Sequence, residues 1–283
     1  MDLMPSTPPS SRPTPTATRA ARSRRTSDQA PALAITFAAA SDTGNFREHN
    51  EDTAFTVSLE AARNMDGARA AILGVCDGMG GVHGGHIASA LTRDLLVKSL
   101  TADPATTPAA LSEAIEEASR HVYEMGERRR ELRGMGTTAT VATIDGDTML
   151  VGQVGDSRCY LLRGGRLRQL TRDQSLVALL VERGELTEEE ARHSPYSNVI
   201  LQAVGTSESI APVVQRVALE PGDVVMLCSD GLHGVLEPRA LSRLLKAVEP
   251  GAEGETCEAL IAAALEAGST DNVSCVIACV RSA

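Results

Sequence analysis

Short apolar runs separated by turn residues dominate this chain, and four longer amphipathic segments lie between them. Runs of roughly four to eight apolar or alternating residues, bounded by Gly, Asp or Pro, are typical of β-strands. The predicted strands are residues 33–39, 54–59, 70–76, 138–144, 148–154, 158–162, 167–170, 213–219, 224–229 and 273–280.

The four longer segments predict α-helices, because their apolar residues recur at helical spacing. Ile87, Leu91 and Leu95 share one helical face, and Pro108 suits the first turn of the second helix. The predicted helices are residues 84–100, 108–128, 238–248 and 254–267.

Strands and helices follow one another in blocks, which favours an α+β layered architecture over regular β-α-β units. Two hairpins are predicted, one at Asp145-Gly146-Asp147 and one at Arg163-Gly164-Gly165-Arg166. Residues 171–206 are polar with short helical patterns, and we expect an inserted flap there.

Two regions differ in composition. Residues 1–30 are rich in Ser, Thr, Pro and Arg, which predicts a disordered tail, with an organelle transit peptide as the alternative. Residues 31–283 contain no Pro- or Gly-rich linker, so we expect one domain there.

The net charge of −10 argues against nucleic acid and anionic membranes as partners. No apolar run approaches the roughly 20 residues that span a bilayer, and a secretory signal pattern is lacking. The six cysteines show no zinc-ligand spacing and fit a reducing compartment, so a cytoplasmic location is expected. Lysine is nearly absent and Ala and Gly are abundant, which indicates a GC-rich, bacterial source.

Acidic residues stand at the ends of several apolar runs, beside Gly or another small residue. They are Glu51 and Asp52, Asp77, Asp156, Asp230 and Asp271. If such carboxylates converge, they repel one another unless cations compensate, and their oxygens suit Mg²⁺ or Mn²⁺. The alternative for each single Asp is a turn former or a helix cap.

Six blocks in order make the sequence resemble the type 2C (PPM) metal-dependent serine/threonine protein phosphatases, especially their bacterial members. The resemblance runs from about Ser41 to the C-terminus. The blocks are Ser41-Asp42-Thr43-Gly44 through Arg47 to Asn50-Glu51-Asp52, Asp77-Gly78-Met79-Gly80-Gly81, Gly134-Met135-Gly136-Thr137-Thr138, Gly155-Asp156-Ser157-Arg158, Ser229-Asp230-Gly231-Leu232 and Asp271-Asn272-Val273.

The resemblance implies a four-layer α-β-β-α sandwich of two mainly antiparallel sheets flanked by helix pairs. It also implies two core Mn²⁺ or Mg²⁺ ions, with Asp77 bridging them. The Gly78 carbonyl is then a ligand of one ion, and Asp230 and Asp271 are ligands of the other. Asp156, together with Asp230, matches a third and weaker metal site.

The same resemblance assigns the chemistry. Arg47 matches the residue that grips the substrate phosphate, a task suited to a guanidinium. Glu51 matches a position that orders metal-bound water or binds metal directly. A hydroxide held between the metals would attack phosphorus in phosphoserine or phosphothreonine directly, without a phospho-enzyme.

The expected partners are phosphorylated proteins and a Ser/Thr protein kinase or its targets, with the chain a monomer. Two alternatives stay open: a catalytically silent binding module, or a metal hydrolase of another phosphomonoester. Met79 stands where many eukaryotic members have a histidine proposed as general acid. The candidates to replace it are His83, His86, His233 and a metal-bound water.

Overall fold

The computed structural model of the chain describes Met1, residues 33–59 and residues 68–283, without the side chains of residues 81–83. The predicted tail, apart from Met1, lies outside the described residues. The strands are β1 Leu33–Asp42, β2 Thr53–Ser58, β3 Ala70–Cys76, β4 Gly78–Met79, β5 Gly136–Thr137, β6 Ala139–Asp145, β7 Thr148–Val154, β8 Arg158–Arg163, β9 Arg166–Gln169, β10 Val213–Ala218, β11 Val224–Cys228 and β12 Val273–Ser282. The α-helices are α1 Gly81–Ala102, α2 Pro108–Arg128, α3 Leu176–Glu182, α4 Glu188–Arg192, α5 Asp230–His233, α6 Pro238–Lys246 and α7 Glu253–Glu266.

Two five-stranded antiparallel sheets form the centre of the described fold. One sheet has the order β1-β12-β11-β8-β9 and the other β10-β7-β6-β3-β2. Helices α6 and α7 contact the first sheet, and α1 and α2 contact the second. The predicted four-layer sandwich is therefore confirmed.

Three layers of buried apolar residues hold these sheets and helices together. The central layer lies between the sheets and includes Ile35, Leu73 and Val276. An outer layer under α1 and α2 contains Leu96 and Ile115. A third layer under α6 and α7 is built likewise from aliphatic side chains and cysteines. Aliphatic residues fill these layers because only 2% of the chain is aromatic.

Local turn chemistry explains why both predicted hairpins form. Gly146 (φ 58°) lies between β6 and β7, and Gly164 (φ 55°) and Gly165 (φ 74°) lie between β8 and β9. These positive φ angles suit the turns that join twisted antiparallel strands, and glycine adopts them without steric cost.

Most predicted elements match the observed ones within a few residues. The helix over α2 and the strands β3 and β7 have the predicted bounds, whereas α1 begins at Gly81 instead of residue 84. The strand predicted at 224–229 ends at Cys228, and the short helix α5, which was not predicted, follows it. The segment 171–206, which we call the flap, contains the short helices α3 and α4.

The register of both sheets brings several strand ends to one edge. Cys76, at the end of β3, pairs with Thr53 at the start of β2. Cys228, at the end of β11, pairs with Cys275 near the start of β12. The residues that follow β3 and β11 therefore lie near those that precede β2 and β12. No helix among the described residues has the length and apolar character needed to cross a membrane.

Candidate active site

The edge where these strands end gathers the acidic residues that the sequence singled out. Asp77 follows β3, Asp230 begins α5 directly after β11, and Asp271 precedes β12. Asp156 follows β7. The negative charge of Asp230 is close enough to Asp77 to contribute to the raised pKa of Asp77.

The backbone at Gly78 is enclosed on two sides. Its N–H donates to the Glu51 carbonyl at 3.2 Å. A Cβ at this position would lie 2.3 Å from the Gly85 carbonyl oxygen and 2.5 Å from that of Glu51. Any side chain here would clash with backbone, so glycine lets β4 pass between the Glu51 segment and the first turns of α1.

Glu51 lies against the same part of α1. A Cβ added to Gly85 would come within 2.7 Å of Glu51 Oε1, so the carboxylate packs directly on that backbone. The Glu51 N–H donates to Asn272 Oδ1 at 2.8 Å. Glu51 is thus fixed from both sides, by α1 and by the start of β12.

Asn272 anchors the whole loop that carries Arg47. The side chain is buried and its Nδ2 donates to the Thr43 carbonyl at 2.8 Å and to the His49 carbonyl at 3.1 Å. Together with the bond from Glu51, these contacts tie both ends of the segment 43–51 to β12. Arg47 projects from this anchored loop.

Arg47 forms an ion pair with Asp271, in which Nη2 lies 2.6 Å from Oδ2. The Arg47 side chain is 51% exposed and that of Asp271 33% exposed, so the pair lies at the rim of the site. Hydrogen bonding to Asp271 raises the pKa of Arg47, and the guanidinium remains charged.

The carboxylates deeper in the site have raised pKa values. Burial is the largest cause for Asp77 and Asp230, and the negative charges of their acidic neighbours add to it. Burial followed by the Asp230 charge raises the pKa of Asp156 to about 7. These groups are packed so closely that ionising all of them is unfavourable without added positive charge.

Asp52 also lies at the site, although the sequence motifs assign it no individual role. It is buried, and Ser229, next to Asp230, donates its Oγ proton to Asp52 Oδ2 at 2.8 Å. Burial raises the pKa of Asp52 to about 7. Asp52 stood in one of the ordered blocks, but its burial depends on the pairing of β2 with β3, which is not visible in sequence.

Several observations fit a divalent cation here. Oδ1 of Asp156 and Oδ1 of Asp230 are buried without a hydrogen-bond partner among the described residues. All candidate ligands offer oxygen, the donor that Mg²⁺ and Mn²⁺ prefer. Within the described part of the chain, no three His, Cys, Asp or Glu side chains are already arranged around one ion position. Asp271 instead contacts Arg47, so the ligand set stays a prediction.

The histidines offer little support for a general acid. His233 Nε2 lies 3.2 Å from the Asp156 carbonyl oxygen and donates to it, while burial lowers the His233 pKa to about 3. This side chain is therefore neutral at physiological pH. His86 is exposed on α1, and the side chain of His83 lies outside the described residues.

A cavity of about 880 Å³ opens beside the carboxylates. Asp156, Asp230 and Asp271 line one side of it, and flap residues including Val181 and Arg192 line the other. The flap therefore forms one wall of the space through which a ligand would reach the site.

Comparison with known proteins agrees with this architecture. The model of the family described as protein phosphatase 2C matches residues 38–184. The serine/threonine protein phosphatase PstP of Mycobacterium tuberculosis is 34% identical over 247 residues, covering 87% of this chain and 45% of PstP. The serine/threonine phosphatase stp of Listeria monocytogenes is 32% identical, with 83% of this chain and 92% of stp covered.

A solved structure of the catalytic domain of PstP, in complex with two manganese ions, is also similar. It superposes with a TM-score of 0.76 at 33% identity, and 88% of this chain and 99% of that domain are covered. The chain belongs to the protein phosphatase 2C family, as the ordered blocks predicted. It spans less than half of the full length of PstP.

Proposed function

We propose that this chain is a metal-dependent phosphatase that hydrolyses phosphoserine and phosphothreonine in proteins. The observation that carries the proposal is the packing of Asp77, Asp156 and Asp230, whose raised pKa values reflect burial beside one another. Bound divalent cations would offset the repulsion between these carboxylates and stabilise their ionised forms. The phosphatase names of its relatives point the same way.

In this proposal two Mn²⁺ or Mg²⁺ ions are held by Asp77, the Gly78 carbonyl, Asp230 and Asp271, and Asp156 serves a third, weaker site. When bound, the ions supply an activated water and neutralise charge on the phosphate. The manganese ions in the PstP catalytic domain support this choice of cation.

The chain's own residues supply the remaining functions. Arg47 contacts the substrate phosphate, because its guanidinium is exposed at the rim and can donate two parallel hydrogen bonds. Glu51, fixed between α1 and Asn272, orients water near the ions. No residue here is assigned as general acid, because His233 donates its proton to a backbone carbonyl.

The substrate is a phosphorylated protein segment rather than a free metabolite. The cavity beside the carboxylates is large enough for side chains that flank the phosphorylated residue, and the flap forms its outer wall. We further propose that a Ser/Thr protein kinase, or the targets of one, supply the substrate. A cytoplasmic location, a monomeric state and a catalytic domain over residues 31–283 complete the proposal.

The test is phosphate release from a phosphothreonine peptide by the purified chain, with Mn²⁺, with Mg²⁺ and with EDTA. Metal-dependent release, absent in EDTA and in Asp77→Asn, is expected. Asp145→Asn, an exposed position at the tip of the β6–β7 hairpin, is the matched control and should remain active.

Two outcomes would contradict the proposal. Absence of release from folded protein with bound Mn²⁺ would indicate a catalytically silent binding module. Faster hydrolysis of small phosphomonoesters than of phosphopeptides, as kcat/KM, would indicate a different phosphate ester as substrate.

A further inference from the structure

The peptide group of Asp77 is held by two buried threonines. The Asp77 N–H donates to Thr138 Oγ1 at 2.9 Å, and the Thr138 N–H donates back to the Asp77 carbonyl at 2.8 Å. Thr137 Oγ1 donates to the same carbonyl at 2.8 Å. Both threonines are fully buried. Every polar atom of the Asp77 backbone is therefore fixed by this pair.

Thr138 also reaches the loop that carries Asp156. Its Oγ1 lies 2.8 Å from Ser157 Oγ, and Ser157 is fully buried. A Cβ added to Gly155 would lie 2.6 Å from the Thr138 methyl carbon, so that methyl packs directly on the turn before Asp156. One side chain thus contacts the backbone of Asp77 and both neighbours of Asp156.

The backbone of Ser157 is also held in place by hydrogen bonds from the sheet. Thr140 Oγ1 donates to the Ser157 carbonyl at 2.7 Å, and Gln153 Nε2 donates to it at 3.2 Å. Because Thr140 and Gln153 belong to β6 and β7, the loop after β7 cannot shift without breaking bonds to the sheet. Movement at Asp77 is therefore coupled through Thr138 to the position of Asp156.

We propose that Thr138 is a positioning residue that sets the separation of Asp77 and Asp156, and thereby couples the core metal sites to the third site. The inference rests on the proposed function for the identity of the ions. It requires both parts of threonine: the hydroxyl for Asp77 and Ser157, and the methyl for Gly155. Neither valine nor serine reproduces both contacts.

A purely structural role is the competing explanation. Removing a buried hydroxyl that accepts a backbone N–H lowers the melting temperature whether or not the residue positions a metal ligand. Thr143→Val separates the two explanations. Thr143 is buried in β6, the strand that begins directly after Thr138. Its hydroxyl has no hydrogen-bond partner among the described residues. It is therefore the same substitution without the contact to Asp77.

The experiment compares Thr138→Val, Thr138→Ser, Ser157→Ala and Thr143→Val in the full chain. Mn²⁺ titration by calorimetry, thermal unfolding with EDTA, and kcat and KM on a phosphothreonine peptide are measured for each. Loss of a group that orients a metal ligand typically lowers affinity or activity by about 10–100-fold. We expect Thr138→Val to lose Mn²⁺ affinity to that extent and to lower kcat with little change in KM.

The other three variants separate the effect of the Thr138 hydroxyl on Mn²⁺ binding from the effects of its neighbouring contacts. Thr138→Ser keeps the hydroxyl, so its tighter Mn²⁺ binding steps should stay within a few-fold of wild type. Its weakest step should weaken, because the methyl contact with Gly155 beside Asp156 is lost. Ser157→Ala should mainly weaken the last and weakest Mn²⁺ binding step, because it leaves the Asp77 bond to Thr138 intact. Thr143→Val should bind Mn²⁺ as the wild type does. If Thr138→Val does not fold, the weakest Mn²⁺ binding step of Thr138→Ser and of Ser157→Ala still tests the inference. Wild-type affinity at that step in both variants would overturn it.

Wild-type Mn²⁺ affinity and kcat in Thr138→Val, with only its melting temperature lowered, would overturn the inference. Equal loss of Mn²⁺ affinity in Thr143→Val would overturn it too. Failure of the proposed function is separate: the wild type would bind Mn²⁺ without releasing phosphate, and the affinities of the variants would still test Thr138.

Discussion

Arg47 Nη2 lies 2.6 Å from Asp271 Oδ2, which links a proposed phosphate-binding residue to a proposed metal ligand. Both side chains are partly exposed, and exposed ion pairs contribute about 0–1 kcal/mol because solvent screens them. The contact can therefore be exchanged for a substrate phosphate at small free-energy cost. The same Arg47 side chain also balances charge near Asp230.

Arg47→Ala should raise KM for a phosphothreonine peptide by about tenfold or more, because a charge-assisted contact to phosphate is lost. Mn²⁺ affinity should survive or increase, since Asp271 is released from its partner. Steady-state kinetics and Mn²⁺ calorimetry check this. Arg128→Ala removes an exposed ion pair on α2 and is the control, expected to leave KM unchanged. Strong loss of Mn²⁺ binding in Arg47→Ala would place Arg47 in a different role.

Asn272→Ala should release the loop that carries Arg47 and Glu51. Three hydrogen bonds to Glu51, Thr43 and His49 are removed from a buried position. We expect the free energy of unfolding to fall by about 2–3 kcal/mol. Because Arg47 is then poorly placed, KM for phosphopeptide should rise as well. Urea denaturation and kinetics measure both effects, and an unchanged KM would show that the loop keeps its place without Asn272.

Most of the fold was predictable because its signals are local. Asp-Gly and Gly-Gly turns with φ near 55–75° mark two hairpins, and apolar runs delimit strands such as β3 and β7. The residues of the candidate metal site could also be named from the sequence, because each stands in an ordered block; their role as metal ligands stays a prediction. The convergence of those blocks, by contrast, depends on which strands pair.

The supporting residues were not predictable for the same reason. Asp52 is buried by the pairing of β2 with β3, and Thr138 meets Ser157 across β6 and β7. Asn272 contacts residues more than two hundred positions away. Short-range patterns carry no information about such partners. Helix α5 was missed because four residues are too few to show helical periodicity.

Asp52 should make the metal-free protein less stable as the pH rises. Its pKa is raised from the ordinary value of 3.8 to about 7, chiefly by burial, so the folded state holds a proton that the unfolded state has lost. That stabilisation is complete below about pH 4 and is lost as the pH rises through about 7. Asp156 acts with the same sign.

Asp52→Asn removes this titration and can still accept the Ser229 hydrogen bond. In EDTA, its unfolding free energy should therefore depend less on pH between 4 and 7 than that of the wild type. The difference in slope should not exceed about 1.4 kcal/mol per pH unit, the value for one proton. Urea denaturation at pH 4.5, 5.5, 6.5 and 7.5, chosen to span about that window, measures it. The lowered pKa of His233 acts with the opposite sign but is common to both proteins. Parallel pH profiles would contradict the assignment.

Arg158 and Asp173 form a bidentate ion pair that attaches the flap to the strand β8. Arg158 Nε lies 2.9 Å from Asp173 Oδ1, and Nη2 lies 2.7 Å from Oδ2. Nη1 also donates to the Tyr160 hydroxyl at 3.0 Å. Arg158, Tyr160 and Asp173 line the cavity beside the carboxylates. The start of the flap is thus held where it forms the wall of the substrate space.

Arg158→Lys should loosen the flap, because an ammonium cannot reproduce the fork geometry. We expect kcat/KM for a phosphothreonine peptide to fall several-fold, while that for p-nitrophenyl phosphate changes little, since the small ester needs no contact with the flap. Limited proteolysis within residues 171–206 should become faster. Arg163→Lys is the matched control: Arg163, at the far end of β8, makes the same fork with Asp223 and lies outside the cavity lining. Equal losses on both substrates in Arg158→Lys would mean that Arg158 supports the carboxylate site itself rather than the flap.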